Sequence, residues 1–181
     1  SSCENTVNSV QRLFYNIPIN TYFSLDLDGI SALNDSVGGV DVVSPETIGE
    51  FVEGESYHLV GQQAESFVRT RDTSKTDSNN MRMQRQKVYI QSFMNTVLQQ
   101  TKKDLTTPID LFNASAPYSC TNLNPSKVSY LAQQAVLGGM NGIDMVSVPG
   151  QVAMGSKYAE FNVSEAEFYQ LFLSIYYTKI E

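Results

Sequence analysis

The sequence predicts a mixed α/β fold in one domain, and three observations carry that prediction. Stretches with apolar residues at helical spacing alternate with short runs of strand formers, which favours an α/β or α+β sandwich. The chain has 181 residues, enough for one ordinary core but not comfortably for two. Hydrophobic residues make up 41% and charged residues 17%, a balance that excludes collagen, a coiled-coil rod and wholesale disorder. No repeat, low-complexity tract or linker interrupts residues 1–181, so they are read as a single domain.

The elements follow from local chemistry. Ser2 precedes a segment, 4–15, in which Val7, Val10, Leu13 and Phe14 recur at helical spacing, and Asn16-Ile17-Pro18 ends it. Strand formers at 21–27 predict a strand. Asp28 then caps a short helix carrying Ile30, Leu33 and Val37. Gly38-Gly39 stops that helix before a second strand at 40–43. Residues 44–58 contain Pro45, Gly49, Gly54 and four glutamates with little periodicity, and read as surface loop. Gly61 opens a short helix with Ala64 and Phe67 inward. Polar residues at 73–80 predict a mobile stretch, and a long helix follows at 81–103 with Val88, Phe93, Val97 and Leu98 apolar. Further helices are expected at 106–114, 125–137 and 164–177, and strands near 121–123 and 144–148.

Charge is distributed unevenly. Twelve basic against 19 acidic residues give a net charge of −7, which disfavours nucleic acid as a partner. Yet four of the five arginines, Arg69, Arg71, Arg82 and Arg85, fall within 17 positions. The window 69–87 carries +4 and the remainder −11. Guanidinium presents a planar fork of donors that matches phosphate oxygens and keeps its charge when partly buried. In an extended segment Arg69 and Arg71 would point the same way. Arg82, Arg85 and Gln86 share one face near a helix N-terminus, where free N–H groups also favour an anion. Tyr89, Phe93 and Val97 continue that face. Cations at one end and apolar surface along the rest suit an amphiphile with an anionic head. The alternative is a solvated basic face with its aromatic residues turned to the core.

Other motifs are weaker. Gly150 to Tyr158 resembles a phosphate-binding loop, but its lysine falls one place late and Tyr158 follows it where a metal-binding hydroxyl should stand. No G-x-S-x-G occurs, and His58, the one histidine, reads as a surface loop residue without a nucleophile. Glu46, Glu50, Glu53 and Glu55 lack calcium-loop spacing and read as solvated. Asn34, Asn113 and Asn162 begin glycosylation triplets, which matter only in a eukaryotic secreted protein. Cys3 and Cys120 are either two buried thiols or one disulfide. No apolar run is long enough to span a bilayer, and the Ser-Ser-Cys start says nothing about location.

Several motifs in order carry a resemblance. Val37-Gly38-Gly39-Val40-Asp41-Val42, Leu59-Val60-Gly61 with Ala64, Phe67-Val68-Arg69-Thr70-Arg71 and Arg82-Met83-Gln84-Arg85-Gln86 resemble the LytR-CpsA-Psr family. The opening from Glu4 to Tyr22 and Ser147-Val148-Pro149-Gly150 are similar too, so the likeness covers nearly the whole chain. The resemblance implies a three-layer α-β-α sandwich around a mixed sheet, with a lipid tail in an apolar channel. It implies a cell-envelope phosphotransferase on the extracytoplasmic face of a bacterial membrane. Such enzymes move an anionic glycopolymer, a teichoic acid or capsule chain, from a polyprenyl-diphosphate carrier to peptidoglycan, with magnesium.

By residue, Arg69 and Arg71 match the catalytic, diphosphate-binding pair, and Arg82 and Gln86 match headgroup contacts. Arg85 takes the second helix-arginine position, either touching the headgroup or supporting the site. Tyr89, Phe93 and Val97 fall where a lipid channel would run. Met81 and Lys87 depart from the glycine and glutamine that many members carry. The family domain normally begins upstream of Ser1, with core strands, metal-binding carboxylates, another headgroup arginine and a membrane anchor. The chain is therefore expected to be the C-terminal part of that domain, with no metal ligands of its own. Asp72 is the nearest group to orient an arginine or assist a proton, a plain salt bridge being the alternative. In an extracytoplasmic setting Cys3 and Cys120 are expected to pair. A non-catalytic module binding polyprenyl phosphate or anionic glycan is the alternative function.

Overall fold

The computed structural model describes residues 2–72, 74, 78–155 and 159–177. In chain order it runs α1 (Ser2–Leu13), β1 (Phe23–Leu25), α2 (Gly29–Ser36), β2 (Val40–Val43), β3 (Ser56–Leu59), α3 (Gln62–Arg69) and α4 (Ser78–Lys103). There follow α5 (Thr107–Ser115), a 3₁₀ turn (Ala116–Tyr118), β4 (Ser119–Thr121), α6 (Pro125–Leu137), β5 (Gly150–Met154), β6 (Ala159–Val163) and α7 (Glu165–Tyr176). The mixed α/β class holds. Among the described residues the strands pair as three separate two-stranded antiparallel ladders, β1–β4, β2–β3 and β5–β6, in place of the one mixed sheet expected. Each strand has only three to five residues, and its ladder partner satisfies one edge.

The densest packing surrounds β2–β3. Val40 and Val42 turn inward while Asp41 and Val43 turn out, the period-2 alternation of a half-buried strand. Val40 faces Leu59 across the ladder, and both are fully buried with Ala64, Phe67 and Val68 of α3 and Tyr89 of α4. Residues 44–55, expected on the surface, fold inward at Ile48 and Phe51, which are buried. Phe51 meets Phe67 edge-on at 5.0 Å and Tyr57 at 5.2 Å, so aromatic packing draws the loop onto the core.

His58 is likewise a strand residue and not a loop residue. Its Nδ1 lies 2.7 Å from Asp41 Oδ1 across the ladder and its Nε2 3.1 Å from the Gly38 carbonyl. Gly39 has φ +95°, and a Cβ there would fall 2.4 Å from His58 Nε2, so only glycine lets the ring close over the turn.

A second region joins β1–β4 to α2, α5 and α6. At the far end α1 meets α7: Phe14 lies edge-on to Phe168 at 5.3 Å and Tyr15 packs on Phe172 at 4.9 Å. The strand expected at 144–148 is irregular; pairing starts at Gly150, where Ser164 N–H reaches the Pro149 carbonyl at 2.9 Å. The phosphate-loop lookalike is the β5–β6 hairpin, with 156–158 outside the described residues. In the polar stretch 73–80, residues 73 and 75–77 are outside the described residues, while 78–80 form the first turn of α4. No helix among the described residues is long and apolar enough to cross a membrane.

Candidate active site

The site is built where α3 ends and α4 begins. Arg69 is the last residue of α3 and not part of an extended segment. Its Nη1 donates to Glu65 one turn earlier, and about half of its side chain stays in solvent. Thr70 then leaves the helix with φ −54° and ψ 134°, anchored by its hydroxyl to the Ser66 carbonyl at 2.7 Å. Arg71 Nε reaches Ser78 Oγ at 3.0 Å, which ties the arginine pair to the first turn of α4. Arg82, one turn further on, donates through Nη2 to Asn79 Oδ1 at 2.9 Å. Its Nε is buried with no hydrogen-bond partner among the described residues. An orphaned, buried guanidinium N–H is costly unless something accepts it.

Arg85 is different. It is fully buried, with Nε donating to Glu46 Oε1 at 2.7 Å and the two terminal nitrogens to the carbonyls of Phe67 and Thr70. Burial pulls its pKa below the ordinary arginine value and Glu46 opposes that pull, with neighbouring Arg82 adding a smaller lowering. With all three nitrogens engaged, no edge is left for a headgroup. Its place among the headgroup contacts is therefore corrected: it holds the backbone carbonyl between Arg69 and Arg71, a positioning role. Glu46 is the residue that sequence reasoning misses. Its spacing groups it with the solvated glutamates, but it is buried, and its only sequence signal is the arginine-rich helix 39 positions later.

Gln86 Nε2 donates to the Val68 carbonyl at 3.2 Å, and its side chain lines an apolar cavity of about 290 Å³. Leu25, Ile30, Leu33, Val68, Tyr89 and Phe93 line it. A second cavity of about 220 Å³, lined by Phe23, Met94, Val97, Leu111 and Leu123, shares Leu33 and Phe93 with the first. Tyr89, Phe93 and Val97 thus all face apolar space along one side of α4. Tyr89 also donates its hydroxyl to Asn34 Oδ1 at 3.2 Å, and Asn34, fully buried, donates to the Leu59 carbonyl at 2.7 Å. Burial, with a smaller contribution from Asp35, pushes the Tyr89 hydroxyl well above the usual phenol range, so it stays protonated and donates.

Asp72 Oδ1 accepts from the Ser74 backbone N–H at 3.0 Å and from the Ser74 hydroxyl at 2.5 Å, a local turn of the chain. Among the described residues no three His, Cys, Asp or Glu side chains converge where a metal ion could sit. Cys3 and Cys120 are free thiols in the structure.

Guanidinium groups at the start of α4 thus stand on the same helix as the side chains that line the apolar cavities. The LytR_cpsA_psr family model matches residues 3–173, and the chain belongs to that family. It is 28% identical over 152 residues to a Bacillus cereus protein named polyisoprenyl-teichoic acid–peptidoglycan teichoic acid transferase TagU, covering 80% of this chain and 47% of that one. A Bacillus anthracis protein of the same name is 39% identical over 62 residues, 32% of this chain and 20% of its own. The chain therefore spans about half the length, or less, of the curated relatives it matches. The crystal structure of B. subtilis TagV superposes with a TM-score of 0.72 at 22% identity, covering 97% of this chain and 71% of that one. A structure titled TagT bound to LI-WTA gives 0.67 at 15% identity, covering 94% and 64%. Both structural likenesses speak for the fold.

Proposed function

We propose that this chain forms part of a phosphotransferase that moves an anionic glycopolymer from a polyprenyl-diphosphate carrier to peptidoglycan, at the outer face of a bacterial cell membrane. One observation carries the reading. Arg69, Arg71 and Arg82 sit where α3 passes into α4, Arg82 Nε has no partner among the described residues, and Gln86, one turn further along α4, lines an apolar cavity. A diphosphate would lie against the arginines with the first isoprene units past Gln86. The names of the relatives support the same substrate class.

The chemistry needs those groups. An acceptor sugar hydroxyl attacks the phosphorus nearest the glycan, the P–O bond to the second phosphate breaks, and polyprenyl phosphate leaves. The hydroxyl proton goes to solvent or a base outside the residues described. Negative charge gathers on the bridging and terminal oxygens, and Arg69, Arg71 and Arg82 stabilise it by charge-assisted hydrogen bonds. Arg69 must turn from Glu65 to do so. Arg85 and Glu46 fix the backbone that carries the pair, and the cavity keeps the leaving lipid out of water.

The test is turnover of a polyprenyl-diphosphate-linked glycan by the full-length protein in magnesium buffer. Arg69→Ala with Arg71→Ala should lower the rate about 10²–10³-fold or more, the range for losing groups that stabilise transition-state charge. Unchanged turnover overturns the reading. Tight polyprenyl phosphate binding by the wild type without turnover points instead to a binding module.

A further inference from the structure

Two side chains remain that neither the core nor the site employs. Cys3 and Cys120 are 117 positions apart in sequence, yet the fold brings their side chains next to each other. Cys3 opens the inward stripe of α1, continued by half-buried Val7, Val10 and Phe14, and no residue of α1 is fully buried. Cys120 is the middle residue of β4, opposite Ser24 in the ladder with β1. Opposed residues of an antiparallel pair share a face and neighbours alternate. Phe23 and Leu25 line the two apolar cavities, so Ser24 and Cys120 point to the other face. Ser24 is also a neighbour of Cys3, and Tyr22, two positions before Ser24 and on its side, is a neighbour of Cys120. The ladder that walls the cavities thus carries a thiol pair on its back, under α1. Cys120 is exposed and Cys3 half-buried, so small reagents can reach them.

We infer that Cys3 and Cys120 form a disulfide that staples α1 to the β1–β4 ladder, and that its oxidation state sets how firmly this wall of the apolar cavities is held. In the exchange, one thiolate attacks a small-molecule disulfide and expels one small thiol. The second cysteine then attacks the mixed disulfide and expels the other. The protein loses two protons and two electrons as its S–S bond forms, and the reagent's S–S bond takes both electrons. The bond constrains the unfolded chain over a long loop and adds a covalent tie where α1 has little burial to hold it. The inference rests on the positions of the two residues and stands whether or not the phosphotransferase reading does.

The test is intact mass after treatment of the protein with oxidised glutathione, alkylation by iodoacetamide, and the same with prior reduction. The expected result is no label before reduction and two labels after it. The wild-type melting midpoint should fall by several degrees on reduction, with no such shift in Cys3→Ser with Cys120→Ser. Two labels without reduction, persistent glutathione adducts or disulfide-linked dimers would each overturn the inference. If the double variant does not fold, wild-type mass and melting with and without reductant still decide it.

Discussion

Arg85 shows how a charged side chain can serve a binding site without touching ligand. It is fully buried with Glu46, and it clamps the carbonyls of Phe67 and Thr70. Removing one partner of such a pair strands a buried charge, which typically costs about 3–5 kcal/mol. Arg85→Met should therefore lower the unfolding free energy by about that amount in urea titrations. Glu46→Leu with Arg85→Met should recover most of the loss, because neither charge is then left unpaired. Simple additivity of the two single substitutions would mean that the pair does not act as a unit. Tyr89 makes a second prediction at this scale. Its folded pKa is raised by burial, so native Tyr89 keeps its proton where unfolded phenols, near pH 10, lose theirs. The contribution is fully present below about pH 10 and is lost as pH climbs above it. Tyr89→Phe should flatten part of that alkaline fall in stability, and a tyrosinate absorbance titration should find wild-type Tyr89 titrating only as the protein unfolds.

The elements differ in how openly the sequence declares them. α4 is plain, since its 26 residues keep a helical period, and that period alone places Gln86, Tyr89, Phe93 and Val97 on one face. Its expected start falls at 81 because Ser78, Asn79 and Asn80 look like loop; in the fold Ser78 is buried and receives Arg71. β3 is hidden in a glutamate-rich stretch, because Ser56 to Leu59 offers only one short alternation, Tyr57 and Leu59, and its place comes from register with β2. The tuck of 44–55 rests on long-range contacts, Phe51 on Phe67 and Glu46 with Arg85, which no local pattern encodes. The arginine cluster is legible in the sequence, whereas the difference between Arg82, whose Nε has no partner among the described residues, and fully bonded Arg85 needs three dimensions. Helix periodicity also supports a prediction about the cavities. Phe93 lines both, so Phe93→Trp should fill space between them. In competition assays a short isoprenyl phosphate should then bind as it does to the wild type, while a long-chain one loses affinity about tenfold or more, on the order of the loss of two or three buried methylenes. Equal loss for both chain lengths would place the lipid elsewhere.

On the scale of the molecule, the charge map and the apolar cavities are two separate features along α4. The chain carries −7 overall, with +4 between 69 and 87 against −11 elsewhere. On the proposed function, an anionic amphiphile is repelled by most of this surface and drawn to one end of α4, so its approach is steered. Steering between exposed charges is screened over about 10 Å at 0.1 M salt, whereas transfer of a hydrocarbon tail into a cavity is not an ion-pair effect. The two contributions should therefore separate in one experiment. For polyprenyl phosphate and the full-length protein, the logarithm of the association rate should fall as salt rises. Arg82→Gln should make that slope shallower, because it removes a cation whose Nε has no internal partner among the described residues. Phe93→Trp should weaken long-chain binding through faster dissociation and leave the salt slope where it was, because Phe93 bears no charge. If Arg82→Gln shifts dissociation alone and leaves the slope intact, Arg82 is not part of the electrostatic entry to the site. Stopped-flow fluorescence at a series of salt concentrations measures both quantities on the same samples.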